Sequence, residues 1–253
     1  MTTLFSSTPV AGDPAIAELY RDFPVGRTGS GITYINIADD FVSCLSFANA
    51  GMLNKGNLLC FDYVMGHLPS RNPMIEIGSF CGLSTNLINY YAQKHGVTNQ
   101  LFTSDDWAFG DFGGTIGHPK ISLADYRKFV RESFIRNLKT FSPAALPHTV
   151  EKCSSDFFAA WSRNETATDV FSRPAPLGGP ISFCYIDGDH GYPAAKADFQ
   201  NTDRFLEPGG FILFDDSADN SHWGVCGVIE EVKKMESYEL VVKNPNYLFR
   251  KRG

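Results

Sequence analysis

The stretch Ile186-Asp187-Gly188-Asp189-His190 closes an apolar run, "ISFCYI", with two carboxylates and an imidazole. A second run, "GGFILF", closes on Asp215-Asp216. Runs this apolar suit parallel strands buried on both faces, which puts the acids at strand ends. Neighbouring strands lie about 4.8 Å apart. If these two are neighbours, Asp187, Asp215 and Asp216 converge on one small volume. Carboxylates that close repel and raise one another's pKa. A hard divalent cation relieves the repulsion, and Mg²⁺ suits a few carboxylates plus water and a substrate oxygen. Such an ion orients a hydroxyl and lowers its pKa. His190, an imidazole, is one candidate to accept the hydroxyl proton. Asp189 is the other. The competing reading is turn and cap chemistry without metal, to which Asp is also suited.

Upstream, "MIEIGSFCGLST" at 74–85 carries a short strand into a glycine turn and then a helix. The spacing of Gly78 and Gly82 does not match the dinucleotide fingerprint GxGxxG. Gly78 lets the backbone approach a ligand closely, and Gly82 admits a tight turn into the helix. Glu76, just before the turn, offers a carboxylate to a cationic or hydroxyl-bearing ligand. One strand later, "LFTSDDW" ends on Asp105-Asp106, where nucleoside-binding sheets place a ribose-binding acid. The doubled Asp leaves that register open by one residue.

The elements that must position these residues alternate. From residue 74 onward five short apolar strands are separated by helices: "STNLINYYAQKHG", "SLADYRKFVRESFIRNLKTF" with Ser122 and Asp125 as a capping box, "DFFAAWS", and "YPAAKADFQNTDRFL". A helix over 223–236 follows, then "YELVVK" and "YLFRKR" around an "NPN" turn, which predicts an antiparallel edge hairpin. Alternating β and α implies a doubly wound, Rossmann-like, mostly parallel seven-stranded sheet. Ligands of such sheets bind beyond the carboxyl ends of the strands. Residues 1–70 show no strand pattern. They read as a helical cap, with Asp13 as N-cap and Pro14 at the first helical position, and helices over 38–49 and 56–67. The expected division is a cap, 1–70, and a main domain, 71–253. The glycine-rich segment 108–121 lies at the functional edge and suits a lid. The Pro- and Gly-rich segment 163–180 reads as a solvated connection.

Bulk properties exclude several classes. The 253 residues carry a net charge of −6, which argues against a broad basic nucleic-acid surface. No apolar run is long enough to span a membrane. The six cysteines have no CxxC spacing; Cys153 and Cys184 sit in apolar runs, as buried reduced thiols do, which points to the cytoplasm. Hydrophobic residues are 43% of the chain, enough for a core without disulfides.

"EIGSFCGLST", "SDDW", "YIDGDHGYPAAKADF" and "LEPGGFILFDD" together resemble the class I S-adenosylmethionine-dependent methyltransferases. The similarity is greatest to the small-molecule O-methyltransferase branch that includes the macrocin-type and catechol-type enzymes. It covers 74–217. The resemblance implies that Glu76, Gly78, Ser79 and Gly82 surround the methionine part of S-adenosylmethionine, with Ser84 and Thr85 opening the helix beneath it. It implies Asp105 or Asp106 at the ribose, Ser154, Ser155 and Asp156 near the adenine, and Asp187 beside the sulfonium. Asp187, Asp215 and Asp216 match the Mg²⁺ ligand positions. Catechol-type enzymes have Asn where this chain has Asp216, a departure that favours the macrocin-type branch. His190 occupies the place of the catechol-type catalytic Lys. The implied activity is methylation of a hydroxyl on a small sugar or natural product, assisted by Mg²⁺. The rivals are a metal-independent methyltransferase, a nicotinamide-binding Rossmann oxidoreductase, and a non-catalytic binding module. The N-terminal helices are a candidate surface for pairing with a second copy.

Overall fold

The computed structural model describes residues 11–29, 31–109, 115–116, 121–219 and 221–253. Its principal strands are β1 (Met74–Ile77), β2 (Leu101–Ser104), β3 (His148–Val150), β4 (Ile181–Ile186), β5 (Leu206–Phe214), β6 (Tyr238–Lys243) and β7 (Tyr247–Lys251). They lie in the order β6-β7-β5-β4-β1-β2-β3. The five strands β1 to β5 are parallel, and β7 runs antiparallel to both β5 and β6. This is the expected mixed sheet with its antiparallel edge hairpin. A two-residue strand, Ala11–Gly12, adds an eighth member against β6.

The order places the reversal of winding between β1 and β4. Every residue of β1, β2 and β4 is buried, as strands covered on both faces must be. Alternate side chains feed two cores. Met74, Phe183, Tyr185, Phe211 and Leu213 pack with helices α1 (Pro14–Leu19), α2 (Asp40–Ala48), α3 (Asn57–His67) and α4 (Leu83–Lys94). Ile75, Ile77, Cys184, Ile186, Ile212 and Phe214 pack with α6 (Ser154–Ser162), α7 (Tyr192–Phe205) and α8 (Val225–Val232). The long helix α5 (Leu123–Phe141) closes a third cluster around Trp107 and Phe134. Its N-terminus is capped by the Ser122 hydroxyl, which accepts from Asp125 N at 3.1 Å. Asp13 caps α1 as expected, with Pro14 at its first turn. No helix among the described residues is long and apolar enough to cross a membrane.

The structure corrects three expectations. The N-terminal segment is not helical throughout, because Val25–Arg27 pairs antiparallel with Thr33–Ile35. The two runs flank a glycine-rich turn, and burial of Tyr34 and Ile35 holds the hairpin against the helices. Segment 163–180 is not merely solvated. Thr166–Thr168 and Pro174–Pro176 form a hairpin, Ala175 and Leu177 are buried, and Val170 N donates to Thr149 O of β3 at 2.9 Å. Asp169 organises it by accepting from Phe171 N, Arg173 N and Arg173 Nε. Finally, Cys184 is buried but Cys153 is only partly so, because it stands at the mouth of a cavity rather than in the core. Most of segment 108–121, with His118, lies outside the described residues.

Candidate active site

A cavity of about 790 Å³ opens beyond the carboxyl ends of β1, β2, β4 and β5. One wall is built from backbone. Gly78 ends β1 with φ +83°, and its N–H donates to Ser104 O of β2 at 2.9 Å. A Cβ there would fall 1.9 Å from the Asp187 carbonyl oxygen, so only glycine fits the seam between β1 and β4. Gly82, at φ +85°, starts α4 with no side-chain cap.

Asp105 stitches this wall together. Its carboxylate accepts from Ser79 N at 2.8 Å, Phe80 N at 2.9 Å and Trp107 N at 2.7 Å. Phe80 and Trp107 both hold left-handed φ, 43° and 49°, which bulky residues adopt only under such restraint. Trp107 Nε1 completes the knot by donating to Phe80 O at 2.9 Å. Burial pushes the Asp105 carboxyl up, while the three N–H donors hold it down. The neighbouring Asp106 spends one oxygen on Ala108 N, 2.9 Å away, and also faces the cavity.

Glu76 is wholly buried behind the glycine turn. Burial pushes its carboxyl up to about 7, against the hydroxyls of Ser84 and Thr85 that favour its charge. Thr85 Oγ1 donates to its Oε2 at 2.5 Å, but Oε1 has no partner, and neither has the buried Ser79 Oγ beside the cavity. Buried polar atoms without partners are rare, and two at one turn are what a cationic or hydrogen-bonding ligand would satisfy.

The facing wall is built from side chains. Asp187, closing β4, and Asp215, closing β5, share a hydrogen bond. Burial and then the Asp215 charge push the Asp187 carboxyl well above the usual carboxylate range. Burial, followed by the Asp216 charge, raises Asp215 as well. Asp215 Oδ1 accepts from Asn57 Nδ2 at 2.5 Å and from Asn246 Nδ2 at 2.7 Å. Asp216 turns away with φ 50°, placing Oδ2 3.5 Å from His190 Nε2. The His190 ring lies 5.1 Å from that of Trp223, which also lines the cavity. Asp189 is exposed and accepts from Gly191 N at 2.7 Å, at the start of α7.

Of the three acids expected to hold Mg²⁺, Asp187 and Asp215 meet, and Asp216 Oδ2 lies 3.5 Å from His190 Nε2. Among the described residues no group of three or more His, Cys, Asp or Glu side chains is arranged to hold a metal ion.

Gly78, Ser79, Ser84, Asp105, Asp106, Asp187, Asp189, His190, Asp215 and Asp216 all line the cavity. Glu76 and Thr85 are buried behind the turn, and the Gly82 Cα faces Leu138 of α5. Ser155 and Asp156 are exposed on α6, and Ser154 alone of that trio reaches the cavity. Sequence reasoning missed Asn57, Asn246 and Asp198. Burial pushes Asp198 up to about 6, against a hydrogen bond from Ser154 that favours its charge. Its place in the cavity, nearly two turns into α7, was signalled only by the "KAD" of that helix. Met52 and Leu53, from the N-terminal segment, also reach the cavity and carried no local signal.

A mostly parallel sheet with this winding and a glycine turn after its first strand define a Rossmann-like fold with its site beyond the strand ends. Residues 75–217 match the methyltransferase domain family, and the chain belongs to it. No curated protein matches the chain by sequence. Among solved structures, cofactor-bound Rv0187 from MTB superposes with a TM-score of 0.54 at 14% identity, over 85% of this chain and 92% of that one. The O-methyltransferase TomG from Streptomyces achromogenes, involved in tomaymycin synthesis, was solved with SAM. It superposes at 0.51 and 15%, over 85% and 91%. The calicheamicin methyltransferase CalS11 superposes at 0.53 and 15%, over 94% and 90%. At these identities the superpositions show the fold.

Proposed function

We propose that the protein is an S-adenosylmethionine-dependent O-methyltransferase acting on a hydroxyl of a small sugar or natural product. The observation that carries the cofactor is the glycine turn, where Ser79 lines the cavity and the Glu76 carboxyl, with Oε1 unpartnered, lies buried behind it. A ligand ammonium there would meet Ser79 Oγ in front of the Glu76 carboxyl. Asp106, with one carboxylate oxygen not committed to backbone, would take the ribose hydroxyls. What the cofactor supplies is an electrophilic methyl group on a sulfonium.

The remaining work falls to the acid wall and His190. Asp215, with Asp187 beside it, offers negative charge on the far side of the cavity. His190, steadied by Asp216 and by Trp223, would accept the proton as the acceptor oxygen forms its bond to the methyl carbon and the sulfur–carbon bond breaks. Asp189 is the second candidate base, with one oxygen committed to Gly191 N at 2.7 Å. Holding both reactants in line accounts for much of the rate of such a reaction. Trp223, Met52 and Leu53 give the acceptor end an apolar lining suited to a ring or sugar face.

Mg²⁺ assistance is the second reading. Abutting Asp187 and Asp215, with Asp216 adjacent, are what a divalent ion would relieve, provided Asp216 left His190. The test is calorimetry with S-adenosylmethionine and S-adenosylhomocysteine, followed by mass-spectrometric screening of hydroxylated acceptors with Mg²⁺ or with EDTA. The expected result is micromolar binding of both cofactors and a mass gain of one methyl group. Absence of heat with either ligand, together with tight NADH binding, would overturn the proposal. A rate indifferent to EDTA would remove the metal.

A further inference from the structure

The hydrogen bonds at Asp215 tie distant parts of the chain to the acid wall. Asn57 opens α3 in the N-terminal segment, and Asn246 sits in the turn between β6 and β7. Both are fully buried, as is Asp215. Both amides converge on the same carboxylate oxygen, Oδ1. Their other atoms are also used. Asn57 Nδ2 donates to Tyr185 Oη at 3.2 Å, and Asn57 Oδ1 accepts from Asn246 Nδ2 at 2.9 Å. Asn246 Oδ1 accepts from Ser217 N at 3.0 Å. No polar atom of either amide is spare. Flipping either one would turn an oxygen onto the carboxylate and strand a donor, so the network has one orientation.

We infer that Asn57 and Asn246 are positioning residues that hold Asp215 against Asp187, making the N-terminal segment and the β6–β7 turn part of the reaction centre. The inference rests on the proposed methyl-donor site, which the acid wall would face across the cavity. A buried carboxylate with two amide donors on one oxygen keeps one rotamer, and the field it exerts across the cavity is then fixed.

The same turn supplies a control. Asn244 is equally buried, and its amide bonds Ile35 N at 2.7 Å, Ile35 O at 2.9 Å and Gly56 O at 3.1 Å, but it does not touch Asp215. A purely structural role for the three asparagines predicts that they behave alike.

The experiment measures calorimetric affinities for S-adenosylmethionine, which is cationic at sulfur, and for S-adenosylhomocysteine, which is not. The full-length wild type is compared with Asp215→Asn, Asn57→Ser, Asn246→Ser and Asn244→Ser. Asp215→Asn is expected to lower the preference for the cationic ligand by about 3- to 10-fold, the scale of one nearby charge in a partly solvated cavity. Asn57→Ser and Asn246→Ser lower it similarly, and each combined with Asp215→Asn adds nothing further. Asn244→Ser lowers thermal stability and leaves the preference unchanged. Losses that add to that of Asp215→Asn, or a preference equally changed by Asn244→Ser, overturn the inference, as does an Asp215→Asn variant with unaltered preference. A wild type that binds neither ligand overturns the cofactor reading itself, which is a distinct result. Should the serine variants fail to fold, the near-isosteric Asp215→Asn protein still decides. Its nitrogen–proton spectrum should show the Asn57 and Asn246 carboxamide signals displaced and those of Asn244 in place. Unmoved Asn57 and Asn246 signals would overturn the inference.

Discussion

The two walls of the cavity are held by different kinds of bond. The glycine-turn wall is knotted by backbone: Asp105 grips three N–H groups of two adjacent turns, and Gly78 lets β1 and β4 close. The acid wall is held by side chains from across the chain, with Asn57 and Asn246 at Asp215 and His190 at Asp216. The first wall has one shape, fixed by local chain geometry. The second is a set of charges fixed by side-chain hydrogen bonds gathered from distant parts of the chain.

The largest test of this contrast is Gly78→Ala. A Cβ would overlap the Asp187 carbonyl and sit at φ +83°. The expected loss is about 3 kcal/mol or more in thermal or urea unfolding, with loss of cofactor affinity. Next is the pair of neighbouring acids. Asp105→Ala strands three N–H groups and should cost about 3 kcal/mol in the same unfolding assay. Asp106→Ala should change stability by less than about 0.5 kcal/mol yet weaken S-adenosylhomocysteine about tenfold in calorimetry, a loss of one hydrogen-bonded charge. Equal effects at the two positions would erase the distinction between a structural and a ligand-facing acid.

Glu76 supplies a pH test. Its folded carboxyl is raised from 4.5 to about 7, so between those values the folded state holds a proton that the unfolded chain has released. The Glu76 contribution therefore favours folding below pH 4.5, and that advantage is lost as pH rises to 7. Glu76→Gln should remove this slope and make the ligand-free protein more stable at pH 8 by about 3 kcal/mol. It should also weaken cofactor binding. Unfolding curves of the two proteins from pH 4 to 8 would show it, and parallel profiles would exclude the raised carboxyl. The smallest effect is expected at Ser155. It is exposed on α6, and Ser155→Ala should leave S-adenosylhomocysteine affinity unchanged within about twofold. A larger loss would place α6 nearer the adenine than its present exposure implies.

The glycine-turn wall was the more legible of the two. Gly78 and Gly82 announce left-handed backbone, strand alternation announces the sheet, and a strand-end acid announces a ligand edge. What went unread there was the division of labour between Asp105 and Asp106, because two adjacent identical residues have no distinguishing sequence signal. The N-terminal hairpin was hidden for another reason. Its strands are three residues each, too short for a periodicity of two to stand out from the helices around it.

By itself, the sequence determined the parallel sheet, its edge hairpin and the identity of the acids at its strand ends. Apolar runs and their spacing are local properties of the chain. Only the tertiary structure decided that Asp187 meets Asp215 while Asp216 goes to His190. Only it showed that Asn57 and Asn246, 189 positions apart, hold the same carboxylate. Side-chain hydrogen bonds act over about 3 Å whatever the sequence separation. Which partners come within that reach is set by how β4, β5, α3 and the β6–β7 turn pack together, and no short stretch of residues records it.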